Sequence, residues 1–298
     1  MREAYHIPST LEEAARLLAR YGGAARVVGG GTDFFVDEGH QDVSALVDVT
    51  RLEGLSDVSY HPPFVMIGCG ATHSRIVASP LIQQRGTALA EACGQIGGPQ
   101  VRNVATLAGN IAHALPAADG TLALLALGGE VMVAWAEGDA LRTEWRALAQ
   151  MFLGPGRSAM DSTRHIIAAM RFLPTGEREA SAFARVMRPQ GVALPIMGLA
   201  VRLRLGEDLA TIESATVTAG PAGPVPFCAR QCTQVLQGRP LNERVIAEAG
   251  EALLAEAQLR DSPHRATRAY RAQVLPVLLR RALHAAYRRA QAAQHQYA

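Results

Sequence analysis

Two stretches of this chain carry residue types able to hold a charged ligand with few charged side chains. Val27–Phe35 reads VVGGGTDFF, and Asn103–Asp119 reads NVATLAGNIAHALPAAD. In the first, Val28 runs into Gly29, Gly30 and Gly31, followed by Thr32, Asp33 and Phe34. Successive glycines allow positive φ and leave the backbone bare for close approach by a ligand. In the second, Thr106 and Asn110 bracket Leu107-Ala108-Gly109. Gly109 permits a left-handed turn, and the Asn110 amide both donates and accepts hydrogen bonds. No lysine or arginine lies between Asn103 and Asp119. Two such turns, each after an apolar run, bring two sets of backbone N–H groups onto one ligand, which is how a protein holds a diphosphate. Asp119 is placed to cap the next helix or, with Thr106, to accept from a ribityl or ribose hydroxyl.

Neither stretch is a Walker loop, since no lysine follows, and neither is a GxGxxG fingerprint. Gly68-x-Gly70 runs into Ala71-Thr72-His73 and fails at the third glycine. Thr72 reads as the cap of a helix starting near Ser74, and His73 as a packing or surface histidine. A lone GGGTD is also read as a plain strand–helix turn; the pair of turns together reads as a flavin site. Cys69, Cys93, Cys228 and Cys232 are scattered, and the last two lack a second pair at metal spacing. They read as reduced thiols, with no metal site.

The elements that must position these residues follow from periodicity. Ser9-Thr10 before Leu11-Glu12-Glu13 reads as a helix start, with Leu11, Ala14, Ala15, Leu17 and Leu18 on one face and Gly22-Gly23 as the stop. Strands are expected at Arg26–Val28, Ser44–Val49, Phe64–Cys69, Val131–Trp135 and Ile166–Phe172. Helices are expected at Leu89–Gly97, stopped by Gly98-Pro99, at Thr121–Leu127 and, briefly, at Arg146–Met151. Turn residues and charges cluster at Pro174–Arg178, which places a boundary between residues 1–176 and 177–298. Beyond it come strands at Ala182–Met187, Ile196–Leu205 and Ile212–Ala219. Helices follow at Val245–Leu259 and Ala269–Arg289, the latter interrupted at Pro276. Strands followed by helices give an α+β module.

A chain of 298 residues, 49% apolar and 19% charged, suits an ordered protein of two domains. Its net charge of +2 argues against nucleic acid as a partner, and all 29 basic residues are arginine, which reads as codon bias. The N-terminus lacks a secretory apolar core, and the most apolar region, Leu122–Ala136, is broken by Gly128, Gly129 and Glu130, so no membrane span is expected. The C-terminal arginines alternate with Leu275, Leu278, Leu279 and Leu283 at helical spacing, the pattern of a packed helix with a solvated or inter-subunit face.

Taken together, GGGTDFF at 29–35, IGCGATHSRI at 67–76, QVRNVATLAGNIAHALPAAD at 100–119, FLGPG at 152–156, FARVMR at 183–188 and YRAQVLPVLLRRAL at 270–283 carry a resemblance over nearly the whole chain. It resembles the FAD-binding medium subunit of the molybdenum hydroxylases, the family of carbon monoxide dehydrogenase and the xanthine dehydrogenases. The resemblance implies an α+β protein. Its FAD domain would have two subdomains of the vanillyl-alcohol-oxidase (PCMH) type, followed by a smaller C-terminal domain of the CO dehydrogenase flavoprotein type. Carried over residue by residue, Val28–Phe34 matches the family's first pyrophosphate loop, and Thr106, Gly109 and Asn110 its second. Asp119 matches an acidic residue that contacts the cofactor, Ile166 a leucine near the flavin, and Arg185 a lysine beside it. Ala108 stands where glycine is usual and requires negative φ, and Val192-Ala193-Leu194-Pro195 replaces a Gly-Asp-aromatic-Ala run.

The resemblance further implies a cytoplasmic flavoprotein oxidoreductase with no catalytic acid or base of its own. It would take electrons from a small [2Fe–2S] subunit onto FAD and pass them to NAD or another acceptor. The molybdenum cofactor would sit in a larger partner chain. Two rivals are a stand-alone flavin oxidoreductase, which needs a positioned base, and a flavin-free structural subunit of the same fold.

Overall fold

The computed structural model describes residues 4–36, 43–188 and 194–293. Its first sheet is parallel and small, with β1 (Ala4–His6), β3 (Ala45–Asp48) and β2 (Ala25–Val28) in the order β1-β3-β2. Helix α1 (Leu11–Tyr21) connects β1 to β2. Its start is fixed by the Thr10 hydroxyl, which accepts from the Glu13 N–H at 3.2 Å, and its end by Gly22 in a left-handed conformation at φ 55°. Ala14, Ala15, Leu17 and Leu18 are the buried face. The second sheet is antiparallel: β4 (Val58–His61), β5 (Phe64–Gly68), β10 (Ile166–Phe172), β6 (Glu130–Glu137) and β7 (Ala140–Ala147), in the order β4-β5-β10-β6-β7. Six helices lie between β5 and β6: α2 (His73–Ala78), α3 (Pro80–Arg85), α4 (Thr87–Gly94), α5 (Pro99–Val104), α6 (Leu107–Ala112) and α7 (Asp119–Ala126). A two-stranded ribbon, β8 (Phe152–Gly154) with β9 (Arg157–Ser158), leads back into β10.

The rest is a third, antiparallel sheet in the order of the chain, β11 (Glu179–Met187), β12 (Pro195–Leu205), β13 (Ile212–Gly220) and β14 (Phe227–Cys228). It is covered by α8 (Arg230–Leu236), α9 (Glu243–Glu256) and α10 (Arg268–Ala292). The buried side chains form two clusters. One runs from Ala14 to Phe172 and takes in Phe183 and Ala200; the other joins β11–β13 to α8, α9 and α10. The mixed α+β architecture is as expected. Ten elements were not expected: β1, β4, β7, β8, β9, β14, α3, α5, α6 and α8. Arg146 belongs to β7, and only Leu148–Met151 makes a short 3₁₀ turn. Helix α10 runs through Pro276, which packs beside Gly250 of α9.

Helix α7 is the joint between the halves. Every residue from Asp119 to Ala126 is buried, so the helix has no solvent face. It lies on the paired glycines Gly198 and Gly220 of β12 and β13. The Thr218 hydroxyl donates to the Leu122 carbonyl at 2.8 Å, and Arg202 Nη1 to the Leu127 carbonyl at 2.9 Å. Helix α4 adds a second tie. Its Ala88 N–H donates to Ser181 Oγ at 3.0 Å, and its Glu91 accepts from the Phe183 N–H at 2.8 Å while pairing with Arg289.

A Cβ on Gly220 would collide with the Pro116 carbonyl and press on both Leu122 methyls at 3.1 Å. Gly220→Ala is expected to cost about 1–3 kcal/mol of stability by overpacking. The same change at Gly223, whose nearest neighbour would be 3.7 Å away, is expected to stay within about 0.5 kcal/mol. Urea-unfolding midpoints of the two variants check this.

Candidate functional site

Strand β2 delivers Gly29–Phe34 at its C-terminal end, and what those glycines face decides the shape of the site. A Cβ on Gly30 would collide with the Val104 carbonyl, and one on Gly29 would lie 2.9 Å from Thr106 Oγ1. Gly31 has φ +69°, which an L side chain rarely adopts. The bare backbone therefore serves first to let this loop lie directly on the α5–α6 junction. The opposite side of Gly29, Gly30, Gly31, Thr32, Asp33 and Phe34 lines a cleft of about 830 Å³.

The second stretch is a helix start rather than a free turn. Thr106 is the N-cap of α6, its Oγ1 accepting from the Gly109 N–H at 3.1 Å. Gly109 is therefore helical and not left-handed, and Ala108, one residue earlier in the same helix, has the negative φ its Cβ requires. Asn110 Oδ1 accepts from both the N–H and the hydroxyl of Thr121, at 3.1 and 3.0 Å, which locks α6 to α7. Ala118, not Asp119, is the N-cap of α7. Asp119 is the first residue of that helix, 3% exposed, and forms an ion pair with the equally buried Arg185 of β11. Its Oδ1 has no hydrogen-bond partner among the described residues.

Val28, Thr106, Gly109, Asn110, Asp119 and Arg185 line the same cleft as the glycine loop. Ile166 does not. It is wholly buried in the core, and its neighbour Ile167 faces the cleft, since successive strand residues point to opposite faces. Leu194 and Pro195 line the cleft, while Val192 and Ala193 lie outside the described residues. Sequence reasoning passed over Arg26, His165 and Arg265, which also face the cleft. Arg26 had a signal, sharing strand parity with Val28; Arg265 had none, because only tertiary folding brings it here. The lining pairs a cationic set (Arg26, Arg157, Arg185, Arg265) with apolar Leu115, Ile167 and Pro195, a combination that suits an anionic ligand with a flat aromatic part.

His73 is 1% exposed at the cleft wall, with Nδ1 3.4 Å from Cys93 Sγ. It is a packing histidine, as its sequence context implied. Burial, with the charge of Arg102, pushes its pKa down to about 4. Burial pushes the Asp119 carboxyl up to about 6, against the pull of Arg185 and then Arg265. Among the described residues no group of three or more His, Cys, Asp or Glu is arranged to hold a metal ion. No described helix is long and apolar enough to cross a membrane.

Residues 1–175 match the family described as FAD binding domain in molybdopterin dehydrogenase, and residues 181–286 the CO dehydrogenase flavoprotein C-terminal domain. The chain is 27% identical over 243 residues to the nicotinate dehydrogenase FAD-subunit of Eubacterium barkeri, covering 80% of each chain. It is 28% identical over 288 residues to the 6-hydroxypseudooxynicotine dehydrogenase complex subunit alpha of Paenarthrobacter nicotinovorans, covering 96% of this chain and 95% of that one. In fold it superposes on a chain of carbon monoxide dehydrogenase from Hydrogenophaga pseudoflava with a TM-score of 0.87 at 23% identity, over 97% of this chain and 98% of the other.

The two titrating groups act on stability with opposite signs. His73 holds fewer protons folded than unfolded. Its contribution is therefore complete above pH 6.5 and is lost, by up to about 3 kcal/mol, as pH falls towards 4. Asp119 holds more protons folded, so its ionisation erodes stability as pH rises from 3.8 towards 6. Urea midpoints at pH 7 and pH 4.5 should show His73→Gln losing less stability on acidification than the wild type, and Asp119→Asn losing more.

Proposed function

This chain belongs to the family of FAD-binding domains of molybdopterin dehydrogenases, and we propose that it is the medium, flavin-carrying subunit of a molybdenum hydroxylase-type complex. In this reading it is a flavoprotein oxidoreductase that works in the cytoplasm beside a larger molybdenum-cofactor subunit and a small [2Fe–2S] subunit. It serves as the stage between that iron–sulfur subunit and NAD or another terminal acceptor. The observation that carries the proposal is the convergence of Gly29–Phe34 and Thr106–Asn110, far apart in sequence, on one cleft closed by the buried Asp119–Arg185 pair.

The residues present fit FAD. The backbone of Val28–Phe34, with Thr106, Gly109 and Asn110, would hold the diphosphate. Asp119 and Arg185 would orient the ribityl and ring end, with Ile166 supporting that wall from behind Ile167. Bound FAD supplies a carrier that accepts electrons singly and releases them singly or in pairs. The chain's own residues do the rest. The glycine loop and the α6 junction fix the position of the cleft's polar end. Leu115, Ile167 and Pro195 exclude water from its apolar wall. Asp119, tied to Arg185, holds its charge where burial makes it a strong acceptor. The division at residues 176 and 177 then separates a cofactor domain from a C-terminal domain that contributes Arg185 to the cleft.

The purified chain is expected to be yellow, to release FAD identified by mass at about one per chain, and to co-purify with two partner chains when they are co-expressed. Gly30→Val, which drives a side chain into the Val104 carbonyl, is expected to lower flavin content to about a tenth or less. A wild-type chain that stays colourless after incubation with FAD would sink the proposal in favour of a structural subunit. Flavin without partners, together with turnover of an organic substrate, would favour a free-standing oxidoreductase.

A further inference from the structure

The mouth of the cleft on its C-terminal side gathers positive charge that nothing in the preceding reading uses. The segment between α9 and α10 folds into a tight turn in which Ser262 pairs with Ala266, the Ser262 N–H donating to the Ala266 carbonyl at 3.0 Å. Arg188 Nη1 donates to the His264 carbonyl at 2.7 Å, which pins the turn to the end of β11. Arg265, at the tip, lines the cleft. Its guanidinium makes no hydrogen bond and no ion pair among the described residues. Arg260 and Arg271 are close enough for their charges to act on it or on each other. Arg271 is 1% exposed, held by one bond from Nη1 to the Pro221 carbonyl at 3.2 Å, and its Nε has no partner among the described residues.

The acidic groups facing this cluster are few and committed. Asp119 is paired with Arg185, and Asp261 accepts the Arg268 N–H at 2.6 Å at the start of α10. Half-burial of Arg265 and the charge of Arg260 both push its pKa down, against the pull of Asp119. Crowded, desolvated guanidiniums are costly on their own and favourable around a planar or tetrahedral oxyanion, which they grip in bidentate fashion.

We propose that this rim is a second anion site, in which Arg265 contacts, and Arg260 and Arg271 reinforce, a phosphate group. The inference rests on the flavin reading in one respect: with the cofactor's diphosphate on the glycine loop, the rim is left for a different molecule. A phosphate group of that kind comes either from a dinucleotide acceptor arriving at the cleft mouth or from free phosphate acting as a modulator. Asp119 lies within the field of Arg265, so an anion bound at the rim would also change the electrostatics at the ring end of the cleft.

Equilibrium binding to the flavin-loaded full chain tests this, with inorganic pyrophosphate, NADH and NADPH as separate probes and flavin content recorded for every variant. The wild type is expected to bind at least one of them. Arg265→Gln is expected to weaken that binding by about tenfold or more, and Arg260→Gln by a smaller factor, while Arg265→Lys restores part of the loss. Flavin content is expected to hold in all three. A dinucleotide that binds at least about tenfold tighter than pyrophosphate identifies the acceptor as the source; comparable affinities identify a free inorganic anion. Unchanged anion affinity in Arg265→Gln overturns the proposal, as does failure of the wild type to bind any of the three anions. Loss of flavin in Arg265→Gln also overturns it, by assigning the cation to the cofactor. A wild type without flavin would instead count against the preceding subsection, and anion binding lost in Arg265→Gln of that apo chain would still support the rim.

Discussion

The architecture of the site depends on a contact between two backbones that only glycine allows. Gly30 lies so close to the Val104 carbonyl that no side chain fits between them, and a Cβ on Gly29 would press on the Thr106 hydroxyl at 2.9 Å. This contact brings the end of the parallel sheet onto the start of α6. Thr106 then serves two structures at once: its side chain caps α6, and it pairs in an isolated bridge with Thr72, itself the cap of α2. The glycine loop, α2 and α6 are thus referenced to the same few atoms. A cleft wall built this way can be accurate without being thick, because main-chain positions carry no rotamer freedom.

The other wall follows a different logic. Asp119 and Arg185 come from different halves of the chain and are both nearly inaccessible, so their pairing must offset the desolvation of two charges. One carboxylate oxygen remains without a partner, and the carboxyl is pushed towards its neutral form. Such a pair is a poor device for stability, since apolar residues would fill the same space at lower cost. Its value lies in placing a polar pair in the cleft wall while tying α7 to β11. The paired glycines Gly198 and Gly220 permit this by letting α7 sit close on the third sheet. Both walls therefore rely on absent side chains to admit a neighbouring backbone.

That shared device explains what could be read from the sequence. The GGGTD turn after an apolar strand, the Thr72 cap of α2, the glycine stop of α1 and the limits of β10 were legible because each rests on local rules of capping, φ and length. The purpose of Gly29 and Gly30 was only half legible: the sequence shows a bare backbone but not whether a ligand or another loop will approach it. Ile166, which the resemblance puts near the flavin, does not line the cleft, whereas Ile167 does; the run Ile166-Ile167-Ala168-Ala169-Met170 is apolar on both faces, so alternation alone does not choose between them. Pro99 was legible as a stop but also begins α5, and Pro276 lies inside α10 without ending it. Arg265 left no mark at all, being one arginine among many in the C-terminal region.

The distribution of charge around the cleft completes the argument. At the glycine end, the proposed reading gives the diphosphate to main-chain N–H groups, which cost no side-chain ordering. At the mouth the chain uses arginine instead, on a turn whose own backbone is occupied by the Ser262–Ala266 pairing and by Arg188. Backbone donors suit a ligand that stays, since they cost no ordering when it binds. Long guanidinium side chains keep more rotamer freedom and suit a ligand that comes and goes, since ordering them weakens the complex enough for release. On the proposed reading, a cleft with one end of each kind holds one anionic molecule and exchanges another.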